Sequence, residues 1–247
     1  MSTQIIGDFC SNHMGSRRIM EQGIKLLAEA GVDYIKWQSF NAEKLNPAWP
    51  DYEKSKEYYR SVELSPSDHT FIISKCKEYG MKPLFTAFSL DKAKMLKELG
   101  INIVKIASPD ADNEPLMQYC TENFSNMLVS CGMVSNRKAH EIIKYHTAFY
   151  CVSRYPCPKN EIDFDKMALF DGFSDHTADI ECAKKAIDMG MEYIERHFTL
   201  GKDLPGNDHK FSSTVSEFKE LVDYRNYKAK IPLYKGRWSN VVGNGDI

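Results

Sequence analysis

The sequence predicts an α/β protein that folds as a single (β/α)8 TIM barrel. Eight short apolar runs alternate with helix-like segments along 247 residues, and each run is apolar throughout instead of alternating with polar residues. Such runs are typical of parallel strands buried on both faces, and eight strand–helix units at this length fit one barrel. A doubly wound open sheet is the alternative, although the sequence contains no glycine-rich nucleotide-binding motif.

The first half of the chain contains four predicted strands with helices between them. Strands are expected at 5–9, 34–38, 83–88 and 103–108, and helices at 17–30, 67–79, 91–99 and 114–121. The first three helices precede Gly31, Gly80 and Gly100, because glycine readily adopts the left-handed conformation that ends a helix. Ser67 is the expected cap of the second helix. Residues 41–66 contain three prolines and are expected to form a long functional loop with some helix.

The second half repeats the pattern. Strands are expected at 126–131, 148–152, 172–174 and 193–198, with helices at 136–145, 180–190 and 215–229 and a weak helix near Asp165. We therefore assign residues 1–230 to the barrel domain and residues 231–247 to a C-terminal tail.

Composition narrows the possible partners and the location. The chain carries 32 basic and 34 acidic residues and has a formal charge of −2, without a block of like charge that would favour nucleic acid or a membrane surface. Its apolar runs are too short to cross a membrane, and the strand-like start leaves no room for a signal peptide. The seven cysteines contain no C-x-x-C pair, which favours reduced thiols in a cytoplasmic protein.

Polar side chains end almost every predicted strand. In a barrel these strand ends meet at one mouth. Two buried lysines there would need an anion, and hydroxyl groups could donate to a phosphate or carboxylate. Two histidines on neighbouring strands could share one divalent metal, or each could simply be hydrogen-bonded. The strand-end residues are Asp8, Lys36, Gln38, Thr86, Lys105, Ser108, Ser130, Ser153, Tyr155, Ser174, His176, Glu195 and His197, and Asp208 and His209 follow in the last loop.

Seven phrases at these strand ends resemble one enzyme family. They are N-H-M-G (12–15), Y-I-K-W-Q-S-F-N-A-E-K-L (34–45), K-I-A-S (105–108), S-C-G-M (130–133), Y-P-C-P (155–158), F-S-D-H-T (173–177) and E-R-H-F-T-L-G-K-D-L-P-G-N-D-H-K (195–210). From residue 4 to about 225 the chain is similar to the sialic acid (N-acetylneuraminate) synthase family, which includes legionaminic and pseudaminic acid synthases.

The resemblance implies a reaction and a role for each group. These enzymes condense phosphoenolpyruvate with a hexose such as N-acetylmannosamine, giving a 2-keto-3-deoxy sugar acid and phosphate. A divalent ion, manganese or magnesium, would polarise the aldehyde, and lysines and hydroxyls would neutralise the two anionic groups. The resemblance assigns Lys36, Thr86, Lys105, Ser108, Ser130 and Ser174 to phosphoenolpyruvate, His176 and His197 to the metal, and Gln38, Tyr155, Glu195, Asp208 and His209 to the acceptor sugar. It also implies a homodimer or another homo-oligomer.

The chain departs from the family pattern at several positions. Asp8 and Asp110 stand where the family usually has glutamate (or either acid at the second position), and these carboxylates are expected to handle the attacking water. Ser153 replaces a usual asparagine, and Pro109 follows K-I-A-S. The family usually continues into a C-terminal antifreeze-protein-like domain, whose linker would begin near residues 234–238. These departures predict a smaller or differently decorated acceptor.

Two other functions are compatible with the same residues. One is an aldolase or lyase that forms a Schiff base at Lys36 or Lys105. The other is a barrel that binds a sugar acid without turning it over.

Overall fold

Eight parallel strands form a closed barrel in the computed structural model, which describes residues 3–45 and 52–230. Each strand pairs with the next in sequence, and β8 closes the ring against β1 through Asp8 and His197. The prediction of a single (β/α)8 barrel is confirmed. The strands are β1 Gln4–Asp8, β2 Tyr34–Ser39, β3 Lys82–Ala87, β4 Ile103–Ile106, β5 Asn126–Ser130, β6 Thr147–Cys151, β7 Gly172–Asp175 and β8 Tyr193–His197.

Helices follow the strands and pack around the ring. They are α1 Arg17–Ala30, α2 Tyr52–Val62, α3 Pro66–Glu78, α4 Leu90–Glu98, α5 Glu114–Asn123, α6 Asn136–Tyr145, α7 Phe164–Met167, α8 Glu181–Asp188 and α9 Val215–Lys230. Short 3-10 turns cover Ala42–Lys44, Ser108–Asp110 and Lys159–Glu161. None of the helices in the described ranges is long and apolar enough to span a bilayer. The predicted tail at 231–247 lies outside the described residues.

Two local predictions need correction. Ser65, not Ser67, caps α3: its side chain accepts from the Asp68 amide, and the Asp68 carboxylate accepts from the Ser65 amide. Pro66 then takes the first helical position, where its missing N–H costs nothing. Strand β4 ends at Ile106 instead of 108, because Ser108 begins a 3-10 turn.

The inside of the barrel is divided into two layers. Ile6, Leu84, Leu128 and Phe149 form a buried apolar cluster, called here the barrel floor. Side chains two positions apart on a strand share a face. The next inward residue on each of these strands is therefore at the mouth: Asp8, Thr86, Ser130 and Cys151. Two residues further along each strand, the interior thus changes from hydrocarbon side chains to polar side chains or a thiol.

A buried arginine fastens the outer face of the last strands. Arg196 on β8 pairs with Asp175 on β7, and its Nε donates to Ser213 Oγ at 2.8 Å. Its Nη2 donates to the Thr177 carbonyl at 2.9 Å. These contacts join β7, β8 and the segment before α9, so the ends of β7 and β8 are held in fixed positions.

Candidate active site

A cavity of about 570 Å³ occupies the mouth, at the carboxyl ends of the strands. The predicted site residues that line it are Asp8, Lys36, Gln38, Thr86, Lys105, Ser108, Ser130, Ser153, Tyr155, Ser174, His176, Glu195, His197 and Asp208. Asp110 and His209 are not among the described residues that line it. Barrel closure therefore brings together side chains that are up to 200 positions apart in the sequence (Asp8 and Asp208).

Two buried lysines share one carboxylate at the base of this cavity. Lys36 Nζ lies 3.2 Å from Glu195 Oε1, and Lys105 Nζ lies 3.1 Å from Glu195 Oε2. Lys36 Nζ also lies 2.8 Å from Asp8 Oδ2. The family resemblance assigned Glu195 to the acceptor sugar, whereas here its carboxylate bridges the two lysines. The anion that we expected two buried lysines to need is thus supplied by the chain itself.

The protonation of this group follows from burial and charge together. Burial lowers the pKa of Lys36, but the negative charges of Asp8 and Glu195 raise it by more. The resulting pKa lies above the ordinary value. Burial lowers the pKa of Lys105, and the attraction of Glu195 does not fully offset it. Burial raises the pKa of Glu195, but the two lysines more than reverse this and leave its pKa below the ordinary value. Glu195 is therefore an ionised carboxylate between cations.

Lys105 also contacts the barrel floor. Its Nζ lies 3.7 Å from the centre of the Phe149 ring, and the residue is 1% exposed. The ring face attracts the ammonium group, which compensates part of its lost hydration. The floor and the mouth are thus in direct contact through Lys105.

Hydroxyl groups surround the lysines. Ser174 Oγ donates to Glu195 Oε1 at 2.9 Å, and Ser108 Oγ accepts from the Met133 amide at 2.7 Å. Thr86 Oγ1 is buried and has no hydrogen-bond partner among the described residues. A buried hydroxyl without a partner is costly, so Thr86 is suited to a ligand oxygen.

His176 is a neutral imidazole with one ring nitrogen facing the cavity side. Its Nδ1 lies 2.8 Å from the Val152 carbonyl, which can only accept, so Nδ1 carries the hydrogen. Its Nε2 lies 3.3 Å from Ser174 Oγ and keeps its lone pair. Burial, reinforced by the proximity of His197, lowers the pKa of His176 to about 3. This is the state in which imidazole binds a metal.

His197 lies among carboxylates and a thiol on the β1–β8 side. Its Nε2 is 3.6 Å from Asp8 Oδ2, and its Nδ1 is buried without a hydrogen-bond partner in the described part of the chain. Ligand atoms of Cys10, His197 and Asp208 all lie within 4.8 Å of one another. One thiol, one imidazole and one carboxylate at this spacing fit a divalent ion.

His176 is not a member of that group of three. Its ring centre lies 5.5 Å from the ring centre of His197, and the two rings are close to perpendicular. The ring of Tyr155 lies over His176 with a centre-to-centre distance of 4.2 Å. The prediction that the two histidines share one ion stays a prediction.

Asp110 and His209 are buried next to the mouth instead of within it. Asp110 lies in the 3-10 turn after β4, its Oδ2 has no partner among the described residues, and burial raises its pKa to about 6. His209 Nδ1 lies 2.7 Å from Thr199 Oγ1, a contact that fastens the loop after β8. Neither residue is among the described residues that line the cavity, so neither is placed to touch a substrate there directly.

Cys10 is not among the described residues that line the cavity, but its thiol lies beside two that do, His197 and Asp208, and the sequence prediction missed it. All seven cysteines, which lie within the described ranges, are free, as predicted, and six of them are buried. Burial, together with Asp208 and Asp8, raises the pKa of the Cys10 thiol well above the usual value. Its nearness to Asp208 was not visible in the sequence, because the two residues are 198 positions apart.

Comparison with known proteins gives a consistent result. The NeuB family profile matches residues 23–231. N,N'-diacetyllegionaminic acid synthase of Campylobacter jejuni is 29% identical over 89% of this chain and 74% of its own length. Human N-acetylneuraminate-9-phosphate synthase is 26% identical over 88% of this chain and 68% of its own length. The crystal structure of N-acetylneuraminic acid synthetase from Leptospira borgpetersenii, in complex with citrate, superimposes with a TM-score of 0.88 at 25% identity and covers 96% of this chain and 87% of that one.

Proposed function

The chain belongs to the NeuB family, and on this basis we propose that it condenses phosphoenolpyruvate with an N-acetylated aldose. The products are a 2-keto-3-deoxy sugar acid and inorganic phosphate. The named relatives are sialic, legionaminic and pseudaminic acid synthases, which supports this class of reaction.

One observation carries the proposal. Two buried lysines from different strands converge on a single carboxylate inside a cavity whose wall is rich in hydroxyls. Each ammonium group has three N–H donors, so those not used by Glu195 or Asp8 can bind the carboxylate and phosphate of phosphoenolpyruvate, and hydroxyl donors suit their remaining oxygens. We assign phosphoenolpyruvate to Lys36, Thr86, Lys105, Ser108, Ser130 and Ser174.

The chemistry requires one carbon–carbon bond, one water and one departing phosphate. Carbon 3 of phosphoenolpyruvate bonds to the aldehyde carbon, and the aldehyde oxygen takes up a proton. Water then adds to carbon 2 and gives its proton to a carboxylate, for which we propose Asp8. The carbon 2–oxygen bond to phosphate then breaks, the carbon 2 hydroxyl gives its proton to the departing phosphate, and the ketone remains. Asp8 Oδ2 lies 2.8 Å from Lys36 Nζ, so the water would be held beside the phosphoenolpyruvate site.

A divalent ion beside His176 and His197 would polarise the aldehyde carbonyl as a Lewis acid. The neutral His176 and the unpartnered Nδ1 of His197 support such a role. The sequence-based expectation for this ion is manganese or magnesium. We propose Gln38, Ser153, Tyr155 and Asp208 for the wall that meets the sugar, His209 and Asp110 for its support, and Glu195 for holding the two lysines in place.

Location and assembly complete the proposal. Seven free thiols suit a reducing compartment, which supports the cytoplasm as the location. The family resemblance supports a homo-oligomer, which light scattering of the purified chain would test.

A Schiff-base aldolase is not favoured. The lowered pKa and apolar neighbour of Lys105 would suit such a nucleophile, but both lysines are paired with Glu195, and the named relatives are synthases. Borohydride treatment in the presence of a keto acid should therefore leave the protein mass unchanged. A non-catalytic barrel is not favoured either, because the named relatives are synthases.

The test is phosphate release from phosphoenolpyruvate across a panel of acceptors. The panel holds N-acetylmannosamine, its 6-phosphate and diacetamido-trideoxyhexoses, each with Mn²⁺, Co²⁺, Zn²⁺ or Mg²⁺. Acceptor-dependent release of phosphate is expected. No release with any acceptor and any ion would contradict the proposal.

Lys105→Met sharpens this test. Loss of one charge-assisted contact, worth about 1.5–3 kcal/mol, should weaken phosphoenolpyruvate binding roughly 10- to 150-fold by calorimetric titration. Lys25→Met on the exposed face of α1 is the matched control and should bind as the unmodified chain does. Equal affinity of both variants would remove Lys105 from the site.

A further inference from the structure

We propose that Cys10, through its thiolate, binds the metal ion together with His197 and Asp208, and that the site selects a thiophilic ion such as Zn²⁺, Co²⁺ or Fe²⁺ over Mg²⁺. The inference rests on the proposed function only in assigning this ion to the aldehyde. The ligand set expected from the sequence was two histidines without sulfur, and the inference changes that set.

Barrel closure brings the three ligands together. Cys10 follows β1, His197 ends β8, and Asp208 lies in the loop after β8. β1 and β8 pair with Asp8 opposite His197, so the residues just beyond these strands share one corner of the mouth. The ligand atoms lie within 4.8 Å of one another, and movements of about an ångström would bring them to metal–ligand distances.

The backbone at Cys10 also indicates a specific role for its side chain. Cys10 has φ 41°, in the left-handed region that favours glycine. A cysteine there raises the free energy of the folded chain relative to glycine, and such residues cluster at functional sites. The residue is also fully buried, so its thiol faces the interior of the protein.

A supporting layer of hydrogen bonds orients the ligands. Ser11 Oγ donates to Asp208 Oδ2 at 3.3 Å, and Tyr58 donates to Ser11 Oγ at 2.9 Å. Asn12 Nδ2 donates to the Phe198 carbonyl at 2.8 Å and to Ser212 Oγ at 2.9 Å, which fastens the β1 loop to the β8 loop. Metal ligands are characteristically held by such secondary contacts.

The donor set determines which ion is favoured. Thiolate and imidazole suit zinc, cobalt and iron, whereas magnesium prefers an all-oxygen octahedron. Coordination uses the thiolate, so the thiol proton leaves to the buffer when the ion binds. Affinity should rise from Mn²⁺ through Fe²⁺ to Co²⁺, and Mg²⁺ should not compete.

The test is a cobalt titration of the full chain after removal of bound metal with a chelator. Co²⁺ should produce the near-ultraviolet charge-transfer absorption of a cobalt–thiolate bond. Cys10→Gly should abolish this band and weaken Co²⁺ binding at least about tenfold. Cys10→Ser should also lose the band, because oxygen gives no such transition. Cys120→Ala, which removes a buried thiol from α5, is the matched control and should keep the band.

The variants separate folding from binding. Glycine suits the backbone at position 10, so Cys10→Gly should melt at or above the temperature of the unmodified metal-free chain. A cobalt spectrum without a thiolate band, or a band that persists in both Cys10 variants, would overturn the inference. Displacement of bound Co²⁺ by Mg²⁺ at the same concentrations as by Zn²⁺ would also overturn it. Because none of these measurements uses turnover, each result is independent of whether phosphate release supports the proposed reaction.

Discussion

The barrel floor and the barrel mouth are made by the same strands, yet they differ in nearly every physical property. On β3, Leu84 packs in the floor, while Thr86, two residues later, lines the cavity with its hydroxyl unpaired in the described structure. On β1, Ile6 belongs to the floor and Asp8 to the mouth. Floor residues gain stability from burial, whereas mouth residues keep groups whose best partner is a ligand.

The groups that give the barrel mouth its function thus lower the stability of the folded chain. Glu195 and Asp8 offset the desolvation of the two lysines, whereas a hydroxyl without a partner among the described residues and a cysteine in the left-handed backbone region raise the free energy of the folded chain. The floor and the surrounding helices must supply the compensation. Floor substitutions should therefore lower stability and spare binding, and mouth substitutions should do the reverse.

The largest effect is expected in the mouth at Asp8. Asp8→Asn should lower turnover by about 10²- to 10⁴-fold, because the proton of the attacking water loses its acceptor. Phosphoenolpyruvate affinity should change far less, because the lysines remain. Steady-state phosphate release and calorimetric titration measure the two quantities separately. Equal turnover of the variant and the unmodified chain would remove Asp8 from the water step.

The next effect is expected in the floor. Leu84→Ala should lower the free energy of unfolding by about 2–5 kcal/mol, because it leaves a cavity at a fully buried position. Urea unfolding measures this change, and phosphoenolpyruvate affinity below the transition should stay the same. Leu169→Ala, an exposed leucine, is the control and should change neither. A collapse of affinity in Leu84→Ala at full folding would show that floor and mouth are not separable.

A pH-dependent effect is expected at Asp110. Its pKa of about 6 lies above its ordinary value of 3.8, so the folded chain holds this proton more tightly than the unfolded chain does. Stability from this group is therefore present at low pH and is lost as pH rises from about 4 through about 6, by up to about 3 kcal/mol. Asp110→Asn should stabilise the chain at pH 8 and have little effect at pH 4. Urea unfolding at pH 4 and pH 8 measures this effect. If the pKa of Asp110 were ordinary, the substitution would change the free energy of unfolding equally at both pH values.

The smallest effect is expected at Thr86. Thr86→Val keeps the shape and removes a buried hydroxyl that has no partner in the described residues. The melting temperature should rise by an amount equivalent to about 1 kcal/mol, while phosphoenolpyruvate affinity falls. Thermal melts with and without phosphoenolpyruvate measure both effects at once. A destabilised variant would mean that the hydroxyl is already satisfied within the fold.

Much of the fold could be predicted from local sequence patterns. Helix α1 and helix α6 were predicted with the bounds that they have in the structure, and the eight strands were placed to within two residues at each end. Periodic burial and glycine at helix ends act over a few residues, so a single sequence carries them. The error at Ser67 arose because two serines flank Pro66, and only the Ser65 side chain completes the capping box.

Part of the site was also predictable. Polar groups at successive strand ends had to meet once the strands formed a closed ring, and all but two of the predicted residues line the cavity. Asp110 was expected at the mouth because it follows β4 and matches a family carboxylate. The 3-10 turn at Ser108–Asp110 instead holds this carboxyl next to the cavity.

The sequence by itself determined the barrel and the chemical character of its mouth, because periodicity and polarity are written residue by residue. Only the tertiary structure decided which groups meet: Glu195 between two lysines, and Cys10 beside Asp208. These pairings depend on the register of β8 against β1 and on the loops beyond them. Contacts between residues some 90 to 200 positions apart are set by the packing of the whole ring, and no local pattern records them.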